Sequence, residues 1–185
     1  MTRRYWFPKP FADLMQRLRV PVGFLLVAAF AWLSRPSPAS LAAGIPIALA
    51  GLALRAWAAG HLAKNEQLAT TGPYGYLRNP LYLGTLTVAA GLVIAARRLE
   101  LAAIFAVVFG LIYLPAIELE EQHLRKLFPQ YAEYAASVRL LWPRLRRWGP
   151  EGKFRTALYV RNQEYQALLG FLAGIALLVF KAASL

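Results

Sequence analysis

Five apolar blocks dominate this chain of 185 residues: Pro21–Trp32, Leu41–Gly60, Leu81–Ala96, Leu101–Ile117 and Ala167–Ala183, each nearly free of charge. A bilayer core of about 30 Å is crossed by about 20 helical residues, and only helices or closed barrels satisfy their backbone groups there. Three blocks approach that length outright, and the first and third reach it with help from their flanks. Charged residues make up only 16% of the chain, well under the roughly 25% usual for soluble domains, so five such blocks would leave too little polar surface for a soluble helical core. The expectation is an all-α integral membrane protein with about five transmembrane helices, forming a single membrane-embedded domain over residues 1–185.

The net charge of +12 raises the question of nucleic acid, and its placement answers it. With the N-terminus inside, segments 1–20, 61–80 and 118–166 carry sixteen of the 21 Lys and Arg. Arg35, Arg97, Arg98 and Lys181 fall outside, and Arg55 lies within the second block. Positive residues favour the cytoplasmic side and its anionic headgroups. The basicity is topological, and no nucleic-acid partner is expected. The chain has no cysteine and two histidines, so neither disulfides nor a metal site is expected. No cleavage site follows an apolar core near the start, and the first block is expected to remain as an anchor.

Residues 1–19 read as an interfacial helix, with Phe11, Leu14, Met15 and Leu18 on one face. Ser34–Ser40 is an outer turn, Arg97–Glu100 a tight one, and the glycines at 44, 51 and 60 allow close helix approach. The fourth helix continues past the membrane into the cytosol until Pro129, with a bend expected at Pro115. Residues 130–150 form a basic, aromatic segment suited to a membrane surface.

Chemistry concentrates in two places. The stretch GPYGYLRNPLYLG, Gly72 to Gly84, is turn chemistry that launches the third helix, with Asn79 as N-cap and Pro80 in the first turn. A helix start favours an anion, and Arg78 adds a fork for carboxylate or phosphate. The second place is Glu118, Glu120 and Glu121 at the inner end of the fourth helix, three of only nine acidic residues. Glu121 has Arg125 as an i,i+4 partner, whereas the i+4 neighbour of Glu120 is Leu124. A carboxylate without a partner beside an apolar stripe calls for a cationic ligand. An anion pocket beside a cation pocket suits S-adenosylmethionine, which carries amino, carboxylate and sulfonium groups.

These motifs resemble those of the membrane methyltransferases that include isoprenylcysteine carboxyl methyltransferases and phospholipid N-methyltransferases. The matching residues are Gly72 and Tyr74; Arg78, Asn79, Pro80, Tyr82 and Gly84; Glu120, Glu121 and Leu124; and Phe128, Tyr131, Tyr134 and Val138. The resemblance spans roughly residues 62–143, expected to be the cofactor-binding and catalytic core. By matching position it implies that Gln67, Leu68, Ala69, Tyr74, Asn79, Pro80, Leu81 and Tyr82 line the cofactor pocket and that Glu120 takes the methionine ammonium. Arg78 and Glu121 are expected in the catalytic roles, Glu121 as one candidate base beside Glu66, His61 and His123. Asn79, Ala116 and Glu66 depart from the isoprenylcysteine pattern and lean the acceptor toward a lipid amine or another amphiphile. The implied activity is methyl transfer to a lipid or lipidated acceptor, at the cytoplasmic face of an inner membrane, with no obligate protein partner. The alternatives are a sterol-reductase-like NADPH enzyme and a non-catalytic scaffold.

Overall fold

The computed structural model describes residues 6–184, and all regular structure in that range is helical. The helices are α1 (Lys9–Leu33), α2 (Pro38–Ala59), α3 (Pro80–Ala96), α4 (Leu99–Leu127), α5 (Tyr131–Ser137), α6 (Thr156–Arg161) and α7 (Tyr165–Ser184). Four of them, α1, α2, α4 and α7, are long and apolar enough to cross a membrane. The fifth expected span, α3, has 17 residues and is about 26 Å long at 1.5 Å per residue. That is a little short of a bilayer core of about 30 Å. The chain is an all-α membrane protein.

The separate interfacial helix expected over residues 1–19 does not appear within the described part of that stretch. Lys9–Leu33 is one helix running through Pro21, and the first five residues lie outside the described range. A proline deletes one backbone hydrogen bond, and here it falls where the apolar block begins, within reach of headgroup water. Ahead of α1, the backbone N–H groups of Trp6 and Phe7 donate to Glu118 at 2.8 and 3.1 Å. This hooks the N-terminal segment onto the inner end of α4.

Helix α2 starts at a reciprocal cap, Ser40 N–H to Ser37 Oγ at 3.3 Å and Ser37 N–H to Ser40 Oγ at 2.9 Å. It packs on α3 along a seam of glycines at seven-residue spacing, Gly44 and Gly51 against Gly84 and Gly91. A Cβ on Gly44 would stand 2.3 Å from the Gly91 carbonyl oxygen, and one on Gly51 2.6 Å from the Val88 nitrogen. Lipid tails supply no hydrophobic drive between helices, so such close backbone approach is what holds them together.

The expected bend at Pro115 takes the form of a π-helical segment, Phe109–Tyr113, just before it. The Leu114 N–H reaches back five residues to the Phe109 carbonyl. Proline has no N–H to continue the α pattern, and the wider turn absorbs the misfit. Beyond it α4 runs on to Leu127 and carries the three glutamates in its last three turns.

Helix α7 and the residues before it close the bundle at both ends. Near its C-terminus Lys181 donates to the carbonyl of Ala31 at 2.8 Å and to Ser34 Oγ at 3.2 Å. Leu178 is fully buried among Ala95, Ala96 and Leu101. At the other end, just after α6, the Asn162 amide donates to the carbonyls of Ala59 and Leu62 at 3.0 and 2.8 Å, holding the last turn of α2.

Candidate functional site

The polar stretch before α3 folds into a short 3₁₀ turn, Gly72–Gly75. Gly72 has φ +57°, and a Cβ there would stand 2.5 Å from the His61 ring, so both backbone and space require glycine. The His61 ring Nδ1 lies 2.9 Å from Thr71 Oγ1, and burial pushes its pKa below the usual histidine value. His61 thus fastens the turn as a neutral ring.

A second strand of chain wraps this turn from outside. Leu77 pairs with Arg139 in a parallel bridge. The N–H groups of Arg78 and Asn79 donate to the carbonyls of Arg139 and Leu140 at 2.9 and 3.2 Å, and those of Arg144 and Trp148 donate back to Tyr76 and Gly75 at 3.0 and 2.9 Å. The Tyr134 hydroxyl donates to the Tyr74 carbonyl at 2.8 Å. This pairing sets the backbone of Asn79, which sits at the N-cap position of α3 yet makes no side-chain cap bond. The expected capping role is corrected: the bridge to residues 139–140 fixes the entry to the helix instead.

Against the start of α3 lies the C-terminal part of α4, and here the two glutamates meet partners other than those expected of them. Glu121, four residues after the buried Ile117, turns inward. Its Oε1 is 3.1 Å from Arg78 Nη1 and accepts from the Tyr131 hydroxyl at 3.0 Å. Its expected partner Arg125 stacks over the Tyr131 ring instead, 5.2 Å from the centroid. Glu120, one residue earlier, is exposed and does have a partner, the Tyr82 hydroxyl at 3.2 Å. The buried acid is therefore Glu121, because it continues the Ile117–Leu124–Phe128 stripe at i+4.

Arg78 is the most distinctive group in the cluster. Its side chain is 7% exposed, and its Nε and Nη1 are buried without a hydrogen-bond partner. The 3.1 Å approach to Glu121 is an ion-pair contact without hydrogen-bond alignment. A buried guanidinium with unused donors is costly unless something else accepts from it. Two phenols beside it, Tyr131 and Tyr134, and a third behind them, Tyr74, stay protonated and can only help as donors or neutral acceptors. Tyr131 is raised by burial and by Glu121, Tyr134 by burial, and Tyr74 well above its usual value by burial and then by Glu120.

The structure gathers Tyr74, Arg78, Asn79, Pro80, Leu81, Tyr82, Glu120 and Glu121 about these two helix ends. Leu68 packs against the Phe128–Tyr131–Tyr134–Val138 cluster. Gln67 is exposed and Ala69 half-buried, and no side-chain hydrogen bond ties Gln67 to the cluster among the described residues. The other candidate bases stand apart: Glu66 pairs with Arg161, and His123 lies 3.2 Å from Asn65 Oδ1. Among the described residues no group of three potential metal ligands lies together.

One feature of the site's surroundings escaped the reading of the motifs. Arg55 on α2 and Glu164, just before α7, form a two-pronged ion pair at 2.6 and 3.0 Å, with Glu164 8% exposed. Arg55 also donates to Thr85 Oγ1 and, at a long 3.5 Å, to the Leu81 carbonyl in the first turn of α3. A signal existed: Arg55 is the one charge in its apolar block, and such residues pair.

A model of the phospholipid methyltransferase family matches residues 19–131, more than half of the chain. The chain is 36% identical over 104 residues to the cobalt-zinc-cadmium resistance protein CzcN of Cupriavidus metallidurans, covering 55% of this chain and 47% of that one. It is 34% identical over 113 residues to the nickel-cobalt-cadmium resistance protein NccN of Alcaligenes xylosoxydans xylosoxydans, covering 60% and 52%. The chain thus spans about half the length of these curated relatives, and no solved structure matches it. With the Arg78, Tyr82 and glutamate cluster falling inside the matched segment, this chain belongs to the phospholipid methyltransferase family.

Proposed function

We propose that the protein transfers a methyl group from S-adenosylmethionine to a lipid or lipidated acceptor that enters from the bilayer, at the cytoplasmic face of an inner membrane. The observation that carries this reading is the buried Arg78 guanidinium with unused donors, one helix start away from the exposed Glu120 carboxylate. An amino-acid zwitterion has the matching pair of charges: its carboxylate accepts from Arg78, and its ammonium donates to Glu120 in competition with the Tyr82 hydroxyl. Tyr74, Asn79, Pro80, Leu81 and Leu68 provide the wall around it, with Gln67 and Ala69 at its edge.

The methyl donor supplies its own leaving group: as the bond from acceptor to methyl forms, the bond from sulfur to methyl breaks and the sulfonium becomes a neutral thioether. The chain's task is orientation and exclusion of water, which in well-aligned systems lowers a barrier by about 7–11 kcal/mol. An amine acceptor must first lose a proton. Glu121 is the base candidate within the cluster, its carboxylate 3.1 Å from Arg78 Nη1 and accepting from the Tyr131 hydroxyl. An amine acceptor also suits the relatives' names: a lipid amine has a lone pair that ligates transition metals, and the methylated quaternary product has none.

The test is incubation of the purified protein with labelled methyl donor and a total lipid extract, followed by identification of the labelled species. Label in an amine-bearing phospholipid is expected. Thermal-shift measurements with S-adenosylhomocysteine and with NADPH separate the rivals. A shift with the first alone supports methyl transfer, with NADPH alone the reductase, and with neither the scaffold.

A further inference from the structure

We propose that the loop from Arg139 to Arg146 binds the headgroup of an anionic phospholipid in the leaflet beside the candidate site. Three observations carry it. The first is depth. Arg139 and Leu140 are hydrogen-bonded to Arg78 and Asn79, immediately before α3 begins at Pro80. The loop is thereby fixed at the start of an apolar 17-residue helix, the end that faces headgroups when such a helix lies across a bilayer.

The second is how the loop is held. Its backbone is pinned at Arg139, Leu140, Arg144 and Trp148 by bonds to the 75–79 segment. Between those anchors Trp142, Pro143, Leu145 and Arg146 are exposed. Trp142 is 72% exposed and Leu145 is fully exposed. An indole at headgroup level with an aliphatic side chain beside it is the pattern of an interfacial anchor.

The third is charge. Arg139, Trp142, Pro143, Arg144, Leu145 and Arg146 line an open groove of about 480 Å³, within the ~300–1,000 Å³ usual for small-ligand sites. Arg144 is engaged with the Ser137 carbonyl, whereas Arg139 and Arg146 are exposed and, among the described residues, in no ion pair. Two unpaired forks over a groove, with an apolar wedge beside them, match a phosphodiester attached to acyl chains. This site is separate from the Arg78 cluster and does not depend on methyl transfer.

The test uses the full chain in nanodiscs containing either brominated phosphatidylglycerol or brominated phosphatidylcholine at equal mole fraction. Tryptophan quenching is read for the wild type and for Trp142→Phe, and the difference isolates Trp142. Phosphatidylglycerol should quench Trp142 more strongly, with local enrichment of about fivefold per arginine. The excess should vanish in Arg139→Gln/Arg146→Gln, whose substitutions touch only exposed groups. Equal quenching by both lipids, or an excess that survives the double substitution, would overturn the proposal. So would quenching by neither, which would place the loop away from the bilayer.

Discussion

Two arginines, one near the end of α2 and one just ahead of α3, differ in what their donors meet. Arg55 has Nε, Nη1 and Nη2 all engaged, by Glu164, Thr85 and the Leu81 carbonyl. Arg78 faces one carboxylate and leaves Nε and Nη1 without hydrogen bonds, although it is the more buried of the two. A guanidinium whose geometry is fully answered by protein is part of the scaffold. One that is desolvated and only half answered is held ready for something that is not protein. The contrast separates structure from function more cleanly than burial or charge alone, since both residues are basic, inward-facing and near the same helix start.

The sharpest way to break that distinction is at Glu164. Glu164→Ala leaves a half-buried Arg55 without its carboxylate, a change that costs up to about 3–5 kcal/mol at fully buried pairs and less here, where Thr85 and the Leu81 carbonyl still accept from it. Thermal denaturation in detergent should show a large drop in melting temperature. The double replacement Arg55→Met/Glu164→Leu should recover most of it, because removing both charges removes the desolvation cost as well. A double variant as unstable as the single one would mean that the pair has a role beyond bridging α2 to α7.

Arg78 should respond in the opposite way. Arg78→Lys keeps a positive charge for Glu121 but loses the planar fork. Stability should change less than in Glu164→Ala, while affinity for S-adenosylhomocysteine falls about 10-fold or more, the loss of one or two charge-assisted hydrogen bonds at ~1.5–3 kcal/mol each. Calorimetry in detergent reads this directly. An unchanged affinity would make Arg78 a second scaffold arginine and end the comparison.

The sequence made the helical class legible because membrane spans declare themselves by length and lack of charge. Block Leu81–Ala96 could be recognised as a helix, though the bounds of that helix, Pro80–Ala96 at 17 residues, needed the structure. The site's two halves were readable as motifs at Arg78–Tyr82 and Glu120–Glu121. Which glutamate turns inward was not, because both flank the same apolar stripe and a one-residue step decides between Arg78 and Tyr82 as partner. The partner of Arg55 was out of reach for a different reason. Glu164 lies 109 residues away, beyond every motif, and only packing of α7 on α2 brings the two together.

His61 offers the finest test of the same idea, since it is a buried polar group fully answered by protein but able to titrate. Its ring is 5% exposed, held by Thr71 and covered by Gly72, and burial lowers its pKa from 6.5. In the unfolded chain the ring regains its ordinary value, so below about pH 6.5 the unfolded state binds the extra proton first. Stability then rises with pH across that window and falls as the pH drops toward the depressed folded value. Melting temperatures of the wild type should therefore decline between pH 7.5 and pH 5.5 by more than those of His61→Asn, which keeps a polar atom near Thr71 without a titrating ring. The effect is expected to be smaller than either arginine result. Parallel pH profiles for the two proteins would mean that folding leaves the ring's proton affinity unchanged, so that His61 is solvated in the fold and does not belong with Arg55 as a polar group answered by protein.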